Sequence, residues 1–263
     1  MKTYDLYKNE IIIVQYIIYN IYNMTHIIIS QDIDTIINSY RTYNELKDYY
    51  KGTDYNWKPL VSAYHARCDD TDDTLKHLPN LTTLDCGWNQ NFTDEGLKHL
   101  PHLTKLHCYK TFTDEGLKHL PHLITLECIL NQNFTDDGLK HLPHLTKLQC
   151  NKTFTDNGLK HLPNLTTLNC VLNQNFTDDG LKHLPHLTIL ICWSNKNFTD
   201  DGLKHLPNLE ILNCGENENF TDNGLKHLPH LEILDYGSNK NFTDDGLKHL
   251  PHLTKLQCNN IQL

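Results

Sequence analysis

Phenylalanine recurs at positions 92, 112, 134, 154, 176, 198, 220 and 242, in steps of 20 or 22 residues. The string Leu-Lys-His-Leu-Pro recurs nine times between Leu75 and Pro251. Self-similarity at a fixed period of this length marks a chain that stacks copies of one small unit along an axis. A single unit cannot fold alone, because the few apolar side chains it buries do not offset the entropy of ordering its whole length. Stability has to come from neighbour packing on neighbour. Each position in the unit is therefore either committed to stacking or free to vary between copies.

The unit reads F-T-D-x-G-L-K-H-L-P-x-L-x-x-L-x-C-x-x-N, and most of its letters have a local reason. In one copy, Leu103, Leu106 and Cys108 point inward from a short strand and its approach. Thr113 is a good N-cap for a helix of one or two turns, and Asp114 and Glu115 suit its positive end. Leu117 and Leu120 pack that helix inward, and Phe112 fills the corner before it. Pro121 stops the helix, because the residue before a proline avoids helical backbone angles. Gly116 reads as a place of close backbone approach. A degenerate copy precedes the regular ones, with Val61, Tyr64, Ala66 and Asp69 at matching spacing. With this copy counted, about ten strands are expected, in one parallel sheet with short helices on the convex side.

The tail of the unit, L-x-x-L-x-C-x-x-N, is plain in Leu81–Leu84–Cys86–Asn89 and in Leu187–Leu190–Cys192–Asn195. Over roughly residues 60–263 the chain resembles the leucine-rich repeat family. The resemblance implies an α/β solenoid: a curved parallel sheet with short convex-side helices, spanning 57–263, behind a hydrophobic and helical N-terminal cap at 1–56. It also implies that Asn89, Asn131, Asn173, Asn195, Asn217 and Asn239 form a ladder of amide hydrogen bonds to the turns. The two 20-residue copies carry Thr111 and Thr153 there instead, and a tighter turn is expected.

In the cap, Asp32-Ile33, Ile36-Ile37, Tyr40, Glu45-Leu46 and Trp57 resemble a degenerate F-box, the helical module that docks substrate receptors to ubiquitin ligases. The opening Leu-Pro and the Val-Cys pair before the tryptophan are missing, and a plain helical cap is the other reading. The near-identical units and the Ile/Asn/Tyr/Lys-rich lead resemble repeat proteins of amoeba-infecting giant DNA viruses. That resemblance implies the cytoplasm of a host cell.

The remaining chemistry points away from catalysis. Net charge is −9 with histidines neutral, a poor footprint for nucleic acid. Residues 11–29 are apolar, but Gln15, Asn20, Asn23 and His26 interrupt them and no small-residue cleavage site follows, so no membrane anchor is expected. Met24 lies inside this stretch and is an alternative start. Cys86, Cys108, Cys128, Cys150, Cys170, Cys192, Cys214 and Cys258 occupy a slot usually held by Leu. They read as small buried hydrophobes in a reducing compartment.

His77, His99, His119, His141, His161, His183, His205, His227 and His249 form a second column. A partial third column holds His102, His122, His144, His186, His230 and His252. Stacked histidines raise a metal- or pH-responsive reading. No Cys or carboxylate accompanies them at a fixed ligand spacing, so solvated helix-end residues are expected and no cofactor or metal. The N-F-T sequons at Asn91, Asn133, Asn175, Asn197, Asn219 and Asn241 follow from the turn and the cap. No nucleophile–base constellation or phosphate loop is present, and a non-enzymatic protein is expected.

Function should sit where the copies differ. Residues between the inward Leu and Cys alternate onto the concave face. One column reads Thr83, Lys105, Thr125, Lys147, Thr167, Ile189, Ile211, Ile233, Lys255, and the next reads Asp85, His107, Glu127, Gln149, Asn169, Ile191, Asn213, Asp235, Gln257. The early copies are polar. Ile189, Ile191 and Trp193 then fall together, beside Val171, Ile211 and Ile233, as an apolar patch on a face expected to be wet. Such patches mark partner sites, and tryptophan is a favoured anchor. The expected partner is another protein of unknown identity. The last strand, with Leu253, Leu256 and Cys258, has no polar capping unit after it, and end-to-end self-association through it is a further expectation.

Overall fold

The computed structural model describes residues 62–150, 152–171 and 173–258. Residues 11–29, the F-box-like segment, Val61 and Asn259 to Leu263 lie outside the described residues. Ten strands form one parallel sheet in chain order: β1 (Ala63–His65), β2 (Thr83–Asp85), β3 (Lys105–His107), β4 (Thr125–Glu127), β5 (Lys147–Gln149), β6 (Thr167–Asn169), β7 (Ile189–Ile191), β8 (Ile211–Asn213), β9 (Ile233–Gly237) and β10 (Lys255–Cys258). A four-residue helix follows each of β1 to β9, the first at Asp72–Leu75 and the last at Asp244–Leu247. This strand–helix repetition is a leucine-rich repeat solenoid.

The core is a set of columns. Leu84, Leu106, Leu126, Leu148, Leu168, Leu190, Leu212 and Leu234 lie one beside the next in register and are buried. The helix leucines and Phe92 to Phe220 fill the space behind them. Strands pack on neighbouring strands and helices on neighbouring helices, so burial of the core and stacking of copies go together. The degenerate copy joins this scheme with Tyr64 opposite Leu84. Its turn is closed by Asp70 rather than by Asp69: the Asp70 carboxylate accepts from Arg67 N and Tyr64 Oη, both at 2.6 Å.

Three polar ladders lock copy to copy. The first is the inner asparagine row. Asn131 is buried; its Nδ2 donates to Phe112 O at 3.0 Å, and its Oδ1 accepts from Asn133 N and Phe134 N. Asn89, Asn173, Asn195, Asn217 and Asn239 are buried in the same way, each reaching a carbonyl of the copy before. In the short copies, Thr111 and Thr153 donate their hydroxyls to Asn89 O and Phe134 O. The second ladder was not legible in advance: the sequon asparagines also bridge copies, as in Asn91 Nδ2 to Cys68 O at 2.8 Å and Asn133 Nδ2 to Lys110 O at 2.9 Å.

The third ladder runs along the helix starts. Thr113 caps its helix by accepting from Glu115 N. It also gives its own N–H and hydroxyl to the Asp94 carboxylate of the previous copy, at 2.9 and 2.6 Å. The same carboxylate explains the glycine of the unit. A Cβ at Gly116 would lie 2.4 Å from Asp94 Oδ1 and 3.0 Å from Leu97 Cδ1. The close approach expected there is thus made by side chains of the preceding copy, not by its backbone.

Candidate functional site

Because the leucines of each strand point into the core, the residues before and after them face the helix-free side of the sheet. Register sets Ile189, Ile211 and Ile233 side by side on β7, β8 and β9, all half-buried. At a strand spacing of about 4.8 Å they make a continuous branched-aliphatic strip. Ile191 is half-buried in the next column, where register continues it into Asn213 and Asp235.

Trp193 lies past the end of β7 rather than on it, in the turn that follows. Its indole covers Gly215, where a Cβ would come within 2.3 Å of Trp193 Cδ1 and 2.6 Å of Nε1. Only a residue without a side chain leaves that space. The turn itself is pinned: Ser194 has φ 63, its N–H reaches Gly215 O at 2.9 Å, and its hydroxyl donates to Glu216 Oε2 at 2.9 Å. Val171 differs from the expectation. It is 8% exposed, packed down beside the core Cys column, and offers little surface to a partner.

Acidic groups border the isoleucines. Glu210 and Glu232 are exposed immediately before Ile211 and Ile233, where other copies carry Thr82, Thr104, Thr146, Thr166 and Thr188. Glu232 N donates to Glu210 O at 2.8 Å, so the two sit side by side just before adjacent strands. On β9, burial pushes the Asp235 carboxyl up, and the Gly237 N–H and Lys255 pull it back.

The first half of the same face is organised by a cluster that column reading alone did not assemble. Asp85 on β2 accepts from His65 Nδ1 on β1 at 2.8 Å and from His107 Nδ1 on β3 at 2.9 Å. Burial alone would raise the Asp85 pKa; the two imidazoles hold it well below the usual carboxylate range. The bond to Asp85 raises the His65 pKa. Burial disfavours charge on His107, and the Asp85 bond overcomes it, so this pKa is raised too. Tyr109 sits edge-on to His107 at 5.0 Å, and Trp88, 65% exposed, sits edge-on to Tyr109 at 5.2 Å. Asp85 and His107 were visible as neighbours in one column. The missing half was His65, which comes from the degenerate copy.

The other candidate chemistries stay structural in their geometry. Cys86 to Cys214 in the column are buried thiols, and burial pushes those of Cys86, Cys108, Cys150, Cys170, Cys192 and Cys214 up. In the partial histidine column, His122 stacks on His144 and His230 on His252, at ring separations of 6.5 and 6.2 Å. Among the described residues, no group of three His, Cys, Asp or Glu side chains is placed to hold a metal ion, and no helix is long and apolar enough to cross a membrane. At the C-terminal edge, Leu256 on β10 is 43% exposed.

No protein-family model and no curated protein matches the chain. Solved structures do match it. One is the crystal structure of an internalin (inlF) from Listeria monocytogenes, with a TM-score of 0.56 and 21% sequence identity over 72% of this chain. The match spans 65% of the internalin chain, less than two thirds of its length. The likeness is one of fold, a leucine-rich repeat scaffold.

Proposed function

We propose that the chain is a non-enzymatic interaction module that binds a protein partner on the helix-free, concave face of its sheet. The contact surface comprises Ile189, Ile191, Trp193, Ile211 and Ile233. One observation carries this reading: three isoleucines stand in register on positions that earlier strands fill with Thr83, Lys105, Thr125, Lys147 and Thr167. Stacking does not require them there, since the polar residues stack equally well. Solenoids characteristically present such extended faces to partners, and the pinned Trp193 is an anchor with little left to lose in side-chain entropy.

The test is proximity labelling in the natural host with the wild type and with the double variant Ile191→Asp, Trp193→Ala. The expected result is loss of a defined partner set at unchanged melting temperature. The same partners at the same yield from both proteins would contradict the proposal. The proposal includes a reducing, cytoplasmic location, which the column of buried cysteine thiols supports. Alkylation of the thiols in protein taken from its natural source checks it, with labelling at every column cysteine after denaturation expected.

A further inference from the structure

We infer that the partner segment is basic as well as apolar: a stretch of chain in which Lys or Arg flank the side chains that pack on the isoleucine strip. This rests on the reading above that the strip is the contact surface, and adds its charge chemistry. Glu210 and Glu232 form an exposed acidic pair at the start of β8 and β9, one residue from Ile211 and Ile233. At the other end of these strands, Glu216 is exposed in the turn beside Trp193, held by the Ser194 hydroxyl, and Glu218 is exposed two residues on. Asp235 lies within the face itself. Strands β7, β8 and β9 carry no Lys or Arg. Lys196 and Lys240 lie in the turns after β7 and β9, and Lys255 on β10 stands in register beside Ile233.

Asp235 makes the argument more than one of rim charge. Its carboxyl is already partly desolvated, and burial pushes its pKa up. A partner that covered the strip with apolar groups alone would bury this carboxylate further, stripping water from a charge held by the Asn213 amide and the Gly237 N–H, with Lys255 as a nearby cation. A partner that brings a guanidinium or ammonium there offsets that cost. The exposed glutamates add attraction for the same kind of segment, chiefly as specificity and speed of association. In the first half of the face the same column carries Lys105 and Lys147 in place of the isoleucines, so no comparable apolar strip exists there.

The test is selection of short random peptides from a display library on the wild type, with Ile211→Asp as counter-selection. A milder variant, Ile189→Ser with Ile191→Ser, is carried in parallel in case the aspartate disturbs folding. Enrichment of Lys and Arg beside Leu, Ile, Phe or Trp is expected. Selected peptides should lose roughly tenfold in affinity on the double variant Glu210→Lys, Glu232→Lys and weaken with added salt. Neutral or acidic peptides that bind the wild type and not the isoleucine variants would overturn the charge inference and leave the contact surface standing. Enrichment no greater on the wild type than on either isoleucine variant would overturn both.

Discussion

The two halves of the sheet's helix-free face share one backbone and differ in how their side chains are satisfied. Along β1 to β5 the face is polar, and its most buried charge, Asp85, is clamped between His65 and His107 on the flanking strands. Along β7 to β9 the corresponding columns turn to Ile189, Ile191, Ile211 and Ile233, and the half-buried acid, Asp235, accepts from the Asn213 side-chain amide and the Gly237 N–H, both at 3.2 Å. The interlocking asparagine and Asp–Thr ladders run beneath both halves alike. The backbone is therefore set by letters that do not vary, and the face is free to differ without altering it. One half clamps its acid between two histidines; the other presents exposed glutamates beside an apolar strip, the surface proposed to meet a partner.

If the frame is common to both halves, removing the same frame residue from each should cost the same. Asn131→Ala and Asn195→Ala each strand buried backbone groups. Each should lose roughly 2–4 kcal/mol by urea denaturation. A large inequality would show that the halves differ in frame as well as face.

The faces themselves should then respond differently. Asp85→Asn removes a charged acceptor shared by two histidines and should cost about 2 kcal/mol, mostly through half-buried His107, since the more exposed His65 is screened by solvent. Asp235→Asn should cost less than about 0.5 kcal/mol, because its carboxyl gains little from its surroundings. The first effect also depends on pH. His65 and His107 have pKa values raised above their ordinary 6.5, so their contribution is complete below pH 6.5 and fades as pH rises through the folded values. Asp85 is depressed below 3.8, so its contribution is present above pH 3.8 and is lost as pH falls. The gap between wild type and Asp85→Asn should be widest between these two values and close on either side.

The aromatic residues sharpen the comparison at a smaller scale. Gly215→Ala forces Trp193 off its seat, because the new methyl would stand 2.3 Å from the ring. A red-shifted tryptophan emission and a loss of about 1 kcal/mol are expected. Gly87→Ala meets Tyr109 only at 3.2 Å, so a shift of about 0.5 kcal/mol or less should follow.

Much of this was legible because the repeat converts sequence into geometry. The inward Leu, Cys and Phe positions follow from period alone, and so does the face on which Ile189 and Ile211 lie. What escaped depends on contacts between unlike copies. The Asp85 clamp needs the register of β1, whose sequence departs from the unit. The outer ladder of Asn91 and Asn133 was hidden because those letters already had a reason, as turn residues. Trp193 leans onto Gly215 through a left-handed Ser194, a backbone choice that no periodicity encodes. Val171 sits at the equivalent position one copy earlier and is buried instead.

The central claim is that the β7–β9 half, and not the β1–β5 half, holds the partner. It is tested most directly by titrating one selected basic peptide against two single variants, Ile211→Asp on β8 and Lys147→Asp on β5. Loss of a central apolar contact should weaken binding roughly thirtyfold or more, while the change on β5 should leave it within about twofold. Equal losses on the two variants, or a loss on Lys147→Asp alone, would contradict the account.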